Sequence, residues 1–258
     1  CNPGADKLPG ESSVNSTNRA GGPIDWKPLT ATKGEIEAIE KLFKQEIPAG
    51  KYLSLTQERA TEAAIRREMS KHRYLHFATH GFFAAPGKTL KPGLAANEWV
   101  GESVRTTHAN PNLMCGLVCA GANKPTPDDD GILTAQEILE LNLDGVELAV
   151  LSACEANVGK SGAGDFIVGL QKAFQSAGAR TTVASLWKVP DNANSILLSR
   201  FYENVFKKHL PALEALRETQ LWVLNNGVKA GILSEEPKDG ERTPPLYWAA
   251  SSLAGDWR

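Results

Sequence analysis

The chain has 258 residues, 41% apolar and 22% charged, and its 28 Lys and Arg against 30 Asp and Glu leave a formal charge of −2. That much apolar material can build a buried core, which excludes a wholly disordered chain. The even charge balance speaks against a broadly basic nucleic-acid surface, though not against a local patch, and no apolar run approaches the ~20 residues of a membrane span.

Length predicts one large domain or two small ones. Residues 1–23 are rich in Asn, Pro, Gly, Ser and Asp and poor in large apolar side chains, so residues 1–25 are expected to be a flexible linker. The first residue is Cys1 rather than Met, which reads as a processed chain or a truncated N-terminus; a lipidated lipoprotein cysteine is the alternative. Four cysteines, Cys1, Cys115, Cys119 and Cys154, are too sparse for a disulfide scaffold and point to a reducing, cytoplasmic setting. No internal repeat is visible.

From Ile24 to Leu29 the chain looks like a docking segment leading into a helix. Thr32 and Glu35 have capping-box spacing, and Ile36, Ile39, Leu42 and Phe43 recur at helical intervals up to Pro48. Lys51 to Thr56 is short and β-prone, and Glu58 to Lys71 reads as a second helix. Tyr74 to Thr79 is an apolar strand running into His80-Gly81, and Leu113 to Ala120 is another candidate strand. Thr134 and Glu137 form a second capping box, opening a helix over Ala135 to Leu141. Glu147 to Cys154 is nearly continuously apolar, as expected of a strand buried on both faces of a parallel sheet. A helix from Gly164 to Ser176 closes at Gly178, and a strand follows from Thr181 to Trp187. Helices over Asn192–Lys208 and Pro211–Asn225 then precede a final apolar segment, Leu246 to Leu253. This alternation predicts an α/β sandwich around a mostly parallel sheet.

Reactive groups in such sheets gather beyond the carboxyl ends of the strands. His80 and Cys154 both fall there, each the first reactive residue after a buried strand. Three chemistries fit a cysteine at such a junction. Cys154-x4-Gly159-Lys160-Ser161 has the spacing of a phosphate-binding loop, but with a side chain where the tight turn requires the first Gly. The same stretch reads as Cys-x5-Lys, where a phosphatase loop has Arg with its planar fork. The third is a cysteine nucleophile whose thiol proton is taken by an imidazole, with His80 the best placed of the five histidines. Backbone N–H groups of Gly81 and Cys154 could then hold the developing oxyanion.

Bland readings stand beside these. His76 shares a period-2 strand face with His80, so a zinc site of His76, His80 and Cys154 is conceivable, against a hydrogen-bonded core histidine. Cys115 and Cys119 read as core packing. Asp128-Asp129-Asp130-Gly131 resembles a calcium loop, but Leu139 falls where the liganding Glu belongs, which favours a solvated loop. The six tryptophans show no regular spacing and are expected in the core or at an interface. The long loop between Phe82 and Pro111 follows His80 directly and is expected to border a substrate cleft.

Five ordered segments carry a family resemblance. They are Tyr74-Leu-His-Phe-Ala-Thr-His80-Gly81, Asn110 to Asn123, Asp130-Gly-Ile-Leu-Thr134-Ala-Gln-Glu137-Ile, Leu151-Ser-Ala-Cys154-Glu155, and Gly178 through Trp187-Lys-Val-Pro-Asp191. With the closing Tyr247 to Asp256, they resemble the CHAT domain, a caspase-like peptidase domain related to separase, over residues 26–258. The resemblance implies a caspase-like three-layer sandwich with a mostly parallel central sheet. It implies a cysteine endopeptidase with a His80–Cys154 dyad, Gly81 in the oxyanion hole, and an acyl-enzyme resolved by water. No metal or other cofactor is needed for that chemistry. It also implies a protein substrate, possible tetratricopeptide repeats or a regulatory partner on the N-terminal side, no direct nucleic-acid or membrane partner, and a setting in prokaryotic signalling or defence. Asp191 matches a separase position facing a basic residue before the scissile bond; its alternative role is to cap the helix that follows. The rival to catalysis is a silent caspase-like scaffold acting through protein contacts.

Overall fold

The computed structural model describes residues 26–29, 32–83, 110–113, 115–126, 129–155, 163–235 and 242–257, with backbone alone for 82, 83, 154, 155 and 163–167. The expected linker over 1–25, most of the loop after Phe82, and the phosphate-loop-like residues after Glu155 lie outside the described residues.

Among the described residues eight strands fall into two ladders. Strands β1 (Tyr74–Phe77), β5 (Leu148–Leu151), β7 (Thr181–Ser185) and β8 (Ser251–Gly255) lie in the order β1-β5-β7-β8. The first three are parallel and β8 is antiparallel. Strands β4 (Ile132–Thr134), β3 (Cys115–Val118), β2 (His80–Phe83) and β6 (Cys154–Glu155) form the second ladder in the order β4-β3-β2-β6. The expectation of a mostly parallel central sheet holds.

Helices cover both faces, and β5 shows how a fully buried strand serves two layers. Leu148 and Val150, with Val183 of β7, meet α1 (Thr32–Glu46), α5 (Asp191–Tyr202) and α6 (Ala212–Asn225). Ala149 and Leu151, with Ala184, meet α2 (Glu62–Met69), α3 (Ala135–Leu139) and α4 (Ala163–Ser176). Successive side chains of a strand point to opposite faces, so an unbroken apolar run is what two helical layers require. A short α7 (Pro245–Trp248) leads into β8. Among the described residues no helix is long and apolar enough to cross a membrane.

The capping box of α3 is present in both halves. Thr134 Oγ1 accepts from Glu137 N, and Glu137 Oε2 accepts from Thr134 N at 2.8 Å. The box expected at Thr32 and Glu35 is not formed. Thr32 is already helical and its hydroxyl donates to Leu29 O at 2.8 Å, while Glu35 reaches into the core. The second helix starts later than Glu58, at Glu62, because Thr61 caps it by accepting from Ala64 N at 3.2 Å. Gly178 closes α4 at φ +114°, where a Cβ would lie 2.4 Å from Asp144 Oδ1; only glycine fits that turn.

Cys115 and Cys119 are buried in the core on the α2, α3 and α4 side of the sheet, and burial pushes their thiols up to about 11 and about 12. They are packing residues, as expected. Of the Asp128–Gly131 stretch Asp128 lies outside the described residues, and Asp129-Asp130-Gly131 form a loop that is only partly solvated. Both aspartates are half-buried and accept backbone N–H groups, Asp129 from Gly131 at 3.0 Å and Asp130 from Ile132 at 2.8 Å. Of the tryptophans, Trp26 is buried whereas Trp257 is 61% exposed.

Candidate active site

The β1–β5 pair of one ladder and the β2–β6 pair of the other are one pair of strands interrupted at the same level. In the first, Tyr74 pairs with Leu148 and Phe77 with Leu151; in the second, His80 pairs with Cys154. The offset is 74 residues throughout, so the register passes unchanged across Ala78-Thr79 on one strand and Ser152-Ala153 on the other. Both interruptions are held by side chains. Thr79 Oγ1 donates to Val118 O at 2.5 Å, and Asn194 Nδ2 on α5 donates to a buried Ser152 Oγ at 3.0 Å.

This crease changes the expected setting. His80 and Cys154 were expected to end buried strands in loops; each instead opens a short new strand, β2 or β6, just past the break. Cross-strand partners in a parallel ladder share a face with backbones about 4.8 Å apart. Gly81 is buried in β2, opposite Glu155 of β6 on one side and Leu117 of β3 on the other.

His80 has one ring nitrogen committed. Its Nε2 lies 2.7 Å from Lys27 O. A carbonyl only accepts, so Nε2 carries the proton, and in the neutral ring Nδ1 is the bare nitrogen. Among the described residues no partner occupies Nδ1. The Trp26 ring lies 5.5 Å from the imidazole, centroid to centroid, tilted by 39°. Trp26–Leu29 therefore forms a strap beside the histidine. Its docking was legible in the sequence; the use of a main-chain carbonyl was not, because a carbonyl has no sequence signature. The strap also borders a cavity of about 1950 Å³ between α1, α2 and the β1 side of the sheet.

His76 takes no part in such a site. Its Nε2 is 2.8 Å from Glu35 Oε1 and its Nδ1 is 2.9 Å from the Tyr202 hydroxyl. An ionised Glu35 accepts from Nε2, leaving Nδ1 of the neutral ring to accept from Tyr202. Burial holds that phenol well above its usual range, so it keeps its proton. The core-histidine reading of His76 is the one the structure supports.

Asp191 is the first residue of α5 and is exposed, with Pro190 at the N-cap. No side-chain cap bond forms there, so the capping role expected of Asp191 is not realised. The carboxylate instead sits in the first turn, where it complements the positive end of the helix. It follows β7 and so lies beyond the carboxyl end of the strand next to β5.

The CHAT domain family matches residues 8–256. Tetratricopeptide repeat protein 28 of Homo sapiens is 26% identical over 201 residues, 75% of this chain and 8% of that protein. The Mus musculus protein of the same name is 27% identical over 191 residues, 70% of this chain and 7% of that protein. The chain thus spans less than a tenth of the length of these curated relatives. With the family match running over nearly its whole length and a mixed α/β fold built on a mostly parallel sheet, this chain belongs to the CHAT domain family, a caspase-like peptidase family.

Proposed function

We propose that the chain is a cysteine endopeptidase acting on a protein substrate, with Cys154 as nucleophile and His80 as base. The carrying observation is the cross-strand register of His80 with Cys154 on adjacent parallel strands. Nδ1 of His80 takes the thiol proton, and the thiolate attacks the peptide carbonyl carbon. Backbone N–H groups of Gly81 and Cys154 stabilise the resulting oxyanion. Collapse of the tetrahedral intermediate breaks the C–N bond; the imidazolium gives its proton to the departing amine, and a thioester remains. Water then attacks the thioester with the imidazole again as base, releasing the acid and regenerating the thiol. The Lys27 carbonyl supports this cycle by orienting the ring, against which Trp26 packs.

Asp191, exposed beyond the sheet's carboxyl edge, is proposed to favour Arg or Lys before the scissile bond. The longer protein is proposed to set this unit, residues 26–258, beside tetratricopeptide repeats, which the relatives' names carry. A cytoplasmic setting fits a thiol nucleophile, which a reducing compartment keeps free. A proteome-derived peptide library tests the reading. Wild type is expected to cut a defined set of peptides and Cys154→Ala none. Equal cleavage by both eliminates the thiol mechanism, and cleavage by neither leaves a scaffold acting through contacts.

A further inference from the structure

The strap that meets His80 is itself held by a residue 97 positions away. Trp26 N donates to Asn123 Oδ1 at 2.8 Å, and Asn123 Nδ2 donates to Trp26 O at 2.9 Å. One side-chain amide thus replaces a strand partner, satisfying both main-chain groups of the residue next to Lys27. The amide is pinned in turn. Asn123 lies in the turn between β3 and β4, where Cys119 N donates to Gly131 O at 2.7 Å. Gly131, at φ +74°, lies so close to Ala122 that a Cβ there would be 2.3 Å from its N. Asn123 itself is exposed, yet both ends of its amide are engaged.

We propose that Asn123 is a positioning residue for His80: by clamping Trp26 it sets the Lys27 carbonyl against Nε2 and fixes the imidazole in the Nε2–H tautomer. The effect of this tautomer on peptide cleavage rests on the endopeptidase reading; the tautomer itself does not. Lys27 O is the fixed point that distinguishes the two ring nitrogens. Without the clamp the strap moves, the carbonyl leaves Nε2, and the ring distributes its proton over both nitrogens. Nδ1 is then protonated in part of the population and takes no proton from a thiol.

The test is ¹⁵N-histidine NMR of the full 258-residue chain at a pH where both rings are neutral, read by two-bond ¹H–¹⁵N correlations. In wild type, His80 is expected as the Nε2–H form. Asn123→Ala should shift its tautomer ratio about fivefold toward Nδ1–H, the factor that one ordinary hydrogen bond supplies. Asn123→Asp keeps an acceptor for Trp26 N–H but sets a carboxylate against Trp26 O, and should shift the ratio in the same direction. His76, fixed by Glu35 and Tyr202, serves as the internal reference for an intact fold. If Asn123→Ala fails to fold, Asn123→Asp decides. An unchanged His80 pattern beside an unchanged His76 in either folded variant overturns the proposal. Repeating the pair in a Cys154→Ala background separates the outcomes: the shift persists whether or not the protein is a peptidase.

Discussion

His76 and His80 stand four residues apart on one run of chain and live in opposite regimes. His76 is enclosed between α1 and α5, with both ring nitrogens bonded and its side chain 11% exposed. His80, past the crease, has one nitrogen on a main-chain carbonyl and an aromatic face beside it. A fully bonded imidazole stabilises the fold and has nothing left to exchange; a half-bonded one retains a site for a proton. The crease after Phe77 separates the two regimes.

The sharpest way to break this contrast is to open the saturated site. Glu35→Ala removes the carboxylate bonded to His76 and is expected to cost about 2 kcal/mol, roughly 4–8 °C in Tm by calorimetry. Labelling of Cys154 by an electrophile should continue at the wild-type rate in the folded protein. A comparable loss of labelling would mean that the two histidines are not independent. The reverse experiment is His80→Ala, expected to change stability by about 1 kcal/mol or less while slowing Cys154 labelling by roughly 10²-fold. Mass mapping should find Cys115 and Cys119 unmodified in both proteins, since burial keeps their thiols protonated. Equal labelling of those two would return Cys154 to the status of an ordinary thiol.

A third polar cluster lies between these extremes. Arg66 bridges Glu62 Oε1 and Glu137 Oε1, each at 3.1 Å. Burial, then the charge of Glu137, pushes the Glu62 carboxyl up to about 7. The native state therefore binds a proton that the unfolded chain releases near pH 4.5. The associated stability is complete below pH 4.5 and is lost as pH rises through about 7. Glu62→Gln should flatten denaturation midpoints across that window, the smallest of the three effects. Midpoints that fall equally in wild type and variant would place the titration elsewhere.

Local patterns were legible and long-range pairings were not. The apolar runs ending in His80 and Cys154 identified the two strands, and the Thr134–Glu137 box was visible because both partners lie within one turn. The same spacing at Thr32 and Glu35 misled. Glu35 is drawn to His76, 41 residues on, by a burial that no local pattern records. The crease was missed because Ala78-Thr79 and Ser152-Ala153 continue their apolar runs; what breaks them are hydroxyl bonds to Val118 and Asn194 on other elements. Trp26 and Asn123 lie 97 residues apart, a separation that no local pattern spans.

The strap gives the imidazole a connection to two other parts of the fold. Trp26–Leu29 is short, tied to α1 through Thr32 and to the β3–β4 turn through Asn123, and it delivers a single carbonyl to the ring. That one oxygen is thus held from both sides, by the turn on one and by α1 on the other, and neither tie belongs to the sheet that carries His80.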